Sequence, residues 1–207
     1  MATMTEYKKE IKCKILKTAM EQFMTHGIKN VKMDDIARLL AISKRTLYEI
    51  YQNKEQLLYE GICETEEYFN NYLHQYAKED NHNAVEVLLQ LYYIQIESFS
   101  RINSTFFNDI FKYDKVCKML SNHRKNRSDQ AHEFFLKGIE DGLFRKEINF
   151  DIISAIFQNT MNYIMESQMY NRFSFKNIFE NTYLTYIRGI CTEKGVRIVD
   201  EKLREKI

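Results

Sequence analysis

Not one proline occurs in the 207 residues of this chain, and glycine occurs only six times. Nothing else in the sequence narrows its folding options as much. Proline presets the φ of many turns, and glycine supplies positive φ without steric cost. A chain with so little of either has few ways to reverse sharply. Long helices joined by short polar connections suit it best, so the expectation is an all-α fold of about nine helices. With 44% hydrophobic residues, 14% of the chain being aromatic, such helices can bury a sizeable core. The length allows one large domain or a small domain followed by a larger one.

Charge is distributed unevenly. Residues 1–60 carry eleven Lys and Arg against eight Asp and Glu, and the remainder nineteen against twenty-one. A basic front that meets an anion and a neutral rear that does not would produce that split. Cys13, Cys63, Cys117 and Cys191 form no CxxC pair. A zinc finger and a thioredoxin-type motif are therefore excluded, and four buried or half-buried thiols in a reducing cytoplasm are expected. The opening "MATMTEYKKEIKCK" lacks the apolar run of a signal peptide, and "VLLQLYYIQI" is too short to cross a bilayer. The expected setting is cytoplasmic, with no membrane partner.

Apolar positions Ile11, Ile15, Ala19 and Phe23 recur every fourth residue and predict a helix over 8–26, ended by Gly27. A second helix is predicted over 33–40, burying Met33, Ile36, Ala37 and Leu40, with Asp34 and Asp35 in its first turn. Ser43 is a good N-cap for a third, and Asn53 for a fourth that reaches about residue 77. Beyond the polar break "KEDNHN", helices are expected over 84–101, 103–112, 114–141, 150–171 and 174–192. The tail "EKGVRIVDEKLREKI" reads as frayed or as an exposed helical extension.

Two short helices separated by a tight turn, over 31–50, make a helix-turn-helix. In that unit the second helix enters the DNA major groove with its N-terminal residues toward the bases. Leu47, Ile50 and Tyr51 fall on the inward side, and Lys44, Arg45 and Tyr48 on the opposite face. Arginine can fork onto guanine, and lysine can bond guanine or phosphate. Thr46 can reach a phosphate or a thymine methyl, and Tyr48 and the helix N-terminal amides can hold phosphates. Lys54 adds a charge near the same backbone, and Ser43, the cap, is counted with this DNA-binding set.

The stretch "ILKTAMEQFMTHGIKNVKMDDIARLLAISKRTLYEIYQNKEQLL" resembles the N-terminal domain of the tetracycline-repressor (TetR) family of bacterial transcription regulators. The likeness is carried by Ala19, Phe23, Gly27, Asp35-Ile36-Ala37, Ser43, Thr46-Leu47-Tyr48, Lys54-Glu55 and Leu57. Three positions depart from the family pattern. Lys32 stands where threonine or serine usually caps the second helix. Ala41 stands where the turn usually has glycine, which would strain a left-handed conformation. Ile50 stands where a histidine or tyrosine often touches phosphate, so that contact is lost.

The resemblance implies a DNA-binding domain over 1–54 and a helical ligand-binding and dimerisation domain over 55–207. Two stripes could form an intersubunit four-helix bundle. One holds Ile153, Ile156, Phe157, Thr160, Met161 and Ile164, the other Phe179, Tyr183, Tyr186, Ile187 and Ile190. The same stripes could instead face the subunit's own core. Candidates to line an effector pocket are Tyr68, Tyr72, Tyr92, Tyr93, Phe99, Phe106, Phe107, Phe111 and Met165, although aromatics at helical spacing also build plain core.

Enzyme signatures are missing. Glu79-x-x-His82 lies in the polar break and Asp129-x-x-His132 is its one acidic parallel, too little for a di-iron carboxylate site. There is no phosphate loop, no GxSxG and no HExxH. The expectation is a non-enzymatic, homodimeric regulator without cofactor or metal, a repressor that leaves a palindromic double-stranded operator when a small apolar or aromatic effector binds. The alternative is a helical enzyme or a protein-interaction module.

Overall fold

A computed structural model describes residues 6–79, 82–118 and 128–205. Among these residues the secondary structure is helical, with a single isolated bridge between Phe144 and Cys191. The chain packs into two units. One is formed by Met1–Phe69 with Arg101–Ser121, the other by Asn70–Ser100 with Asn122–Ile207.

In the first unit, α1 (Glu6–His26) buries Ile15, Leu16, Ala19, Met20 and Phe23, two adjacent rows at spacing four. Gly27 ends it at φ 83°, its N–H bonded to Phe23 O. A Cβ there would sit 2.6 Å from the Thr105 hydroxyl, so both the conformation and the close approach require glycine. α2 (Met33–Leu39) and α3 (Lys44–Ile50) follow, and α4 (Lys54–Lys78) starts at Lys54. Asn53 caps α4 by accepting the Gln56 N–H. The unit also takes in α6 (Ser104–Ile110), whose Asn103 cap donates its own N–H to Met24 O. Phe23, Ile28, Ile36, Leu47, Tyr51, Leu57 and Leu58 are buried, as are Phe106 and Phe107 of α6. This packing unit is therefore larger than the 1–54 segment expected from sequence, because α6 returns to it.

The second unit is built on α5 (Ala84–Ser100), α7 (Ser128–Glu140), α8 (Phe150–Glu166), α9 (Phe175–Ile190) and α10 (Glu193–Glu205). Its core joins Val85, Leu89 and Tyr92 of α5 to Phe135 of α7, Phe179, Tyr183, Leu184 and Ile187 of α9, and Val199 of α10. Asp141-Gly142 makes the expected turn, with Gly142 at φ 69°. The strand-like segment after it is pinned to the α9–α10 junction by Arg145 N–H to Ile190 O and Thr192 N–H to Leu143 O, both 2.9 Å.

Three expectations change here. The tail is not a frayed or exposed extension. It forms α10, which buries Gly195 and Val199 and packs Val196, Ile198 and Leu203 against the core. The helix expected over 150–171 stops at Glu166. Gln168 takes a left-handed conformation, and a single 3-10 turn spans Met169–Asn171. Cys13 is exposed rather than buried. Residues 119–127 of the helix expected over 114–141 lie outside the described residues, as do Asp80 and Asn81 of the polar break.

Candidate nucleic-acid interface

The face that would meet DNA is set by how α3 is held. Leu47 and Tyr51 are fully buried and anchor one side of the helix, and Ile50 is half-buried beside them. Ser43, extended at φ −68° and ψ 148°, accepts the Thr46 N–H at 3.0 Å and so defines where the helix begins. Its hydroxyl also lies 2.8 Å from that of Thr46. Lys44, Arg45 and Tyr48 project to solvent, as the helical spacing requires.

The turn before α3 shows what the sequence departures do. Ala41 adopts φ 51°, the left-handed conformation that a glycine would take without strain. Leu40 N–H to Ile36 O, Ala41 N–H to Arg38 O and Ile42 N–H to Ala37 O hold it there. Lys32 occupies the N-cap position of α2 in extended conformation, and a lysine ammonium has no acceptor for the orphan N–H groups. Asp35 supplies half of the missing cap by accepting the Lys32 N–H at 3.1 Å.

The exposed surface of the motif carries both signs of charge. Arg45 Nε donates to Glu49 Oε1 at 2.8 Å, Lys44 Nζ to Asp34 Oδ2 at 2.5 Å, and Arg38 Nη2 to Asp35 Oδ1 at 2.6 Å. The hydrogen bond from Arg45 holds the Glu49 carboxyl below the usual range, and Asp34 raises Lys44 in the same way. The pairing of Glu49 with Arg45 and of Asp34 with Lys44 was not anticipated from the sequence. The i,i+4 spacing of Arg45 and Glu49 was the signal that could have found the first pair.

Lys54 does something other than expected. Its ammonium turns inward and donates to Val31 O at 2.7 Å, Ile28 O at 2.8 Å and, at 3.4 Å, Lys29 O. Those carbonyls belong to the turn between α1 and α2, so Lys54 ties the start of α4 to that turn. The phosphate contact assigned to it from sequence is corrected accordingly, since its donors are committed to backbone. Burial lowers its pKa. The same turn is held from its other side by Asp109 of α6, whose Oδ2 accepts the Lys29 N–H at 2.8 Å and whose Oδ1 accepts from Lys112 at 3.1 Å. Asp109 is 7% exposed, a buried charge that the sequence pattern did not reveal.

Several proposed dimer residues also move. Phe179, Tyr183 and Ile187 are buried in the second unit's core, and Ile164 is buried too. Phe157, Met161 and Ile190 pack against that core, Thr160 and Tyr186 bond to each other at 3.0 Å, and Ile153 is half-buried. Of the eleven, Ile156 is left as a large exposed hydrophobe, and it is joined on α8 by Ile152 and Tyr163. The pocket candidates are divided between the two units. Tyr68, Phe106, Phe107 and Phe111 belong to the first unit, and Tyr72, Tyr92, Tyr93, Phe99 and Met165 to the second. Tyr68, Tyr72 and Phe111 are exposed, whereas Tyr92 is core, in ring contact with Tyr183.

Comparison with known proteins places this geometry. Residues 15–60 match the model of bacterial regulatory proteins of the tetR family. No curated protein sequence matches the chain. Among solved structures, a TetR-family transcriptional regulator from Agrobacterium tumefaciens is similar over 89% of this chain and 100% of its own, at TM-score 0.70 and 14% identity. A TetR-family regulator from Marinobacter aquaeolei VT8 covers 94% of this chain and 97% of its own, at 0.67 and 24%. A transcriptional regulator from Saccharomonospora viridis in complex with choline covers 89% and 100%, at 0.66 and 16%. Residues 15–60 thus match the N-terminal domain of the tetR family, and the chain as a whole shares the fold of these solved regulators.

Proposed function

We propose that the chain is a homodimeric repressor that binds a palindromic operator through α3 and releases it when a small molecule binds the second unit. The observation that carries the DNA contact is the disposition of α3. A buried Leu47 fixes the helix while Lys44, Arg45 and Tyr48 stay exposed on its other side, with Thr46 half-buried at its start. Arg45 is the natural base reader, and Lys44, Thr46 and Tyr48 set the register on the backbone. Ser43 contributes by fixing the start of the helix.

Dimerisation is supported by α8. Ile152, Ile156 and Tyr163 lie at intervals of four and seven, within one narrow stripe, and are solvent-exposed in the single chain. A second copy would cover them. Two recognition helices must then sit about 34–36 Å apart to reach successive major grooves. An effector lowers affinity only by preferring a different spacing, and a tenfold effect needs about 1.4 kcal/mol of that preference. Its class is small and apolar or aromatic, in keeping with the linked rings of Tyr92, Phe99, Phe157, Phe179 and Tyr183 in the second unit.

The test is selection of bound fragments from a random DNA pool, with sedimentation of the selected complex. A dyad-symmetric sequence carrying two protomers is expected. A pool from which no sequence emerges refutes operator binding, and a single asymmetric half-site refutes the dimer.

A further inference from the structure

The three carboxylates of the helix-turn-helix, Asp34, Asp35 and Glu49, are each paired with one of its cations. Only one of these pairs lies wholly on the recognition helix. Arg45 and Glu49 stand one turn apart on α3, their side chains 88% and 54% exposed. The bond uses Nε of the guanidinium. Arginine has five N–H donors in a fixed fork, so the four on the two Nη atoms remain available beyond Glu49. The edge they form is one that can bond both O6 and N7 of a guanine.

We propose that Glu49 is a specificity-determining positioning residue for DNA binding, holding Arg45 by its Nε so that its terminal edge meets a guanine while cancelling its attraction for phosphate. The inference rests on the DNA-binding reading above. Non-specific binding comes almost entirely from charge, through counterion release by the phosphates. A base edge rewards donor geometry instead. The Arg45–Glu49 pair is rich in donors but carries no net charge, so it gains little from an arbitrary phosphate and keeps its gain from a correctly placed guanine. Lys44 and Asp34 apply the same cancellation at the first residue of α3. Both pairs are exposed and contribute little to folding, so the substitutions below are read in DNA binding rather than in stability.

Two variants of the full chain separate the two effects, because glutamine keeps the acceptor for Nε and discards the charge, while alanine discards both. Each is compared with the unsubstituted chain by selection from a random DNA pool and by affinity for the selected operator and for random DNA across a salt series. Glu49→Gln should raise affinity for random DNA about fivefold at low salt and steepen the salt dependence by about one unit per subunit, with guanine preference kept. Glu49→Ala should do the same and also lower guanine preference at one position of each half-site by about tenfold. An unchanged salt slope in Glu49→Gln, or an unchanged guanine preference in Glu49→Ala, overturns the inference. So does a new base preference at some other position in Glu49→Gln, which would make Glu49 itself a base reader. If the unsubstituted chain selects no sequence, the DNA-binding reading fails with it. Failure confined to the variants leaves that reading standing.

Discussion

Replacing Asp109 should loosen the DNA-binding unit without touching any residue on its DNA-facing side. The carboxylate is buried between α6 and the α1–α2 turn, accepting the Lys29 N–H and the Lys112 ammonium. A hydrogen bond involving an ionised group contributes about 1.5–3 kcal/mol. The Lys112 side chain is 64% exposed, so that pair adds only about 0–1 kcal/mol. Asp109→Ala should therefore destabilise the unit by about 2–3 kcal/mol, leaving the Lys29 N–H without its acceptor. Asp109→Asn keeps a neutral acceptor and should cost about 1–2 kcal/mol. Burial works to raise the Asp109 pKa, but the Lys29 and Lys112 bonds outweigh it, and the net shift is downward. A lowered folded pKa means that the ionised form stabilises the fold above the unfolded value of about 4, and that this stability is lost as pH falls through the folded one. The gap between Asp109→Asn and the unsubstituted chain should accordingly be full at pH 7, begin to shrink as pH falls below about 4, and vanish only below the lowered folded pKa, where Asp109 is neutral in both states. Amide hydrogen exchange reads the unit by itself. The Lys29 amide should exchange about thirty- to hundredfold faster in Asp109→Ala. A change below about threefold at Lys29, or a gap that does not depend on pH, would refute the account of the carboxylate as the anchor of this turn.

The other expectations follow the same physics. Ala41→Gly relieves a left-handed conformation worth about 1–2 kcal/mol but adds unfolded-state entropy, so the unit should gain about 0.5–1 kcal/mol; a loss on urea unfolding would contradict the strain argument. Lys54→Met should destabilise the α1–α2 turn by about 2 kcal/mol and lower operator affinity while leaving the salt slope unchanged, because its donors already serve backbone carbonyls; a slope flatter by about one unit per subunit would restore the phosphate contact expected from sequence. Ile156→Glu should give folded monomers with weak operator binding, whereas Phe157→Glu should impair folding of the second unit, since Phe157 packs against its core. Sedimentation and circular dichroism distinguish the two, and a persistent Ile156→Glu dimer would move the interface off α8.

What the sequence could determine by itself was whatever depends on neighbours along the chain. Helix periods, the Ser43 and Asn53 caps, the Gly27 ending and the inward placement of Leu47 and Tyr51 are local consequences of the 3.6-residue repeat and of orphan N–H groups needing acceptors. The strain at Ala41 was legible for the same reason, since it depends only on one residue's Cβ. Contacts between residues far apart in the chain were not legible. An amphipathic stripe says that a face is covered, not what covers it, and so Phe179, Tyr183 and Ile187 could have faced a second subunit or their own core; in the folded chain α5 lies against them. The tail's apolar positions, Val196, Val199 and Leu203, gained a partner in the same way. Lys54 and Asp109 are the sharpest case. Both look like surface charges in a list of residues, and only tertiary structure brings the carbonyls of Ile28 and Val31 to one and the Lys29 N–H to the other. A long flexible cation bonds whichever acceptor the fold places within its reach, and a carboxylate stays charged in the interior only where the fold supplies its donors.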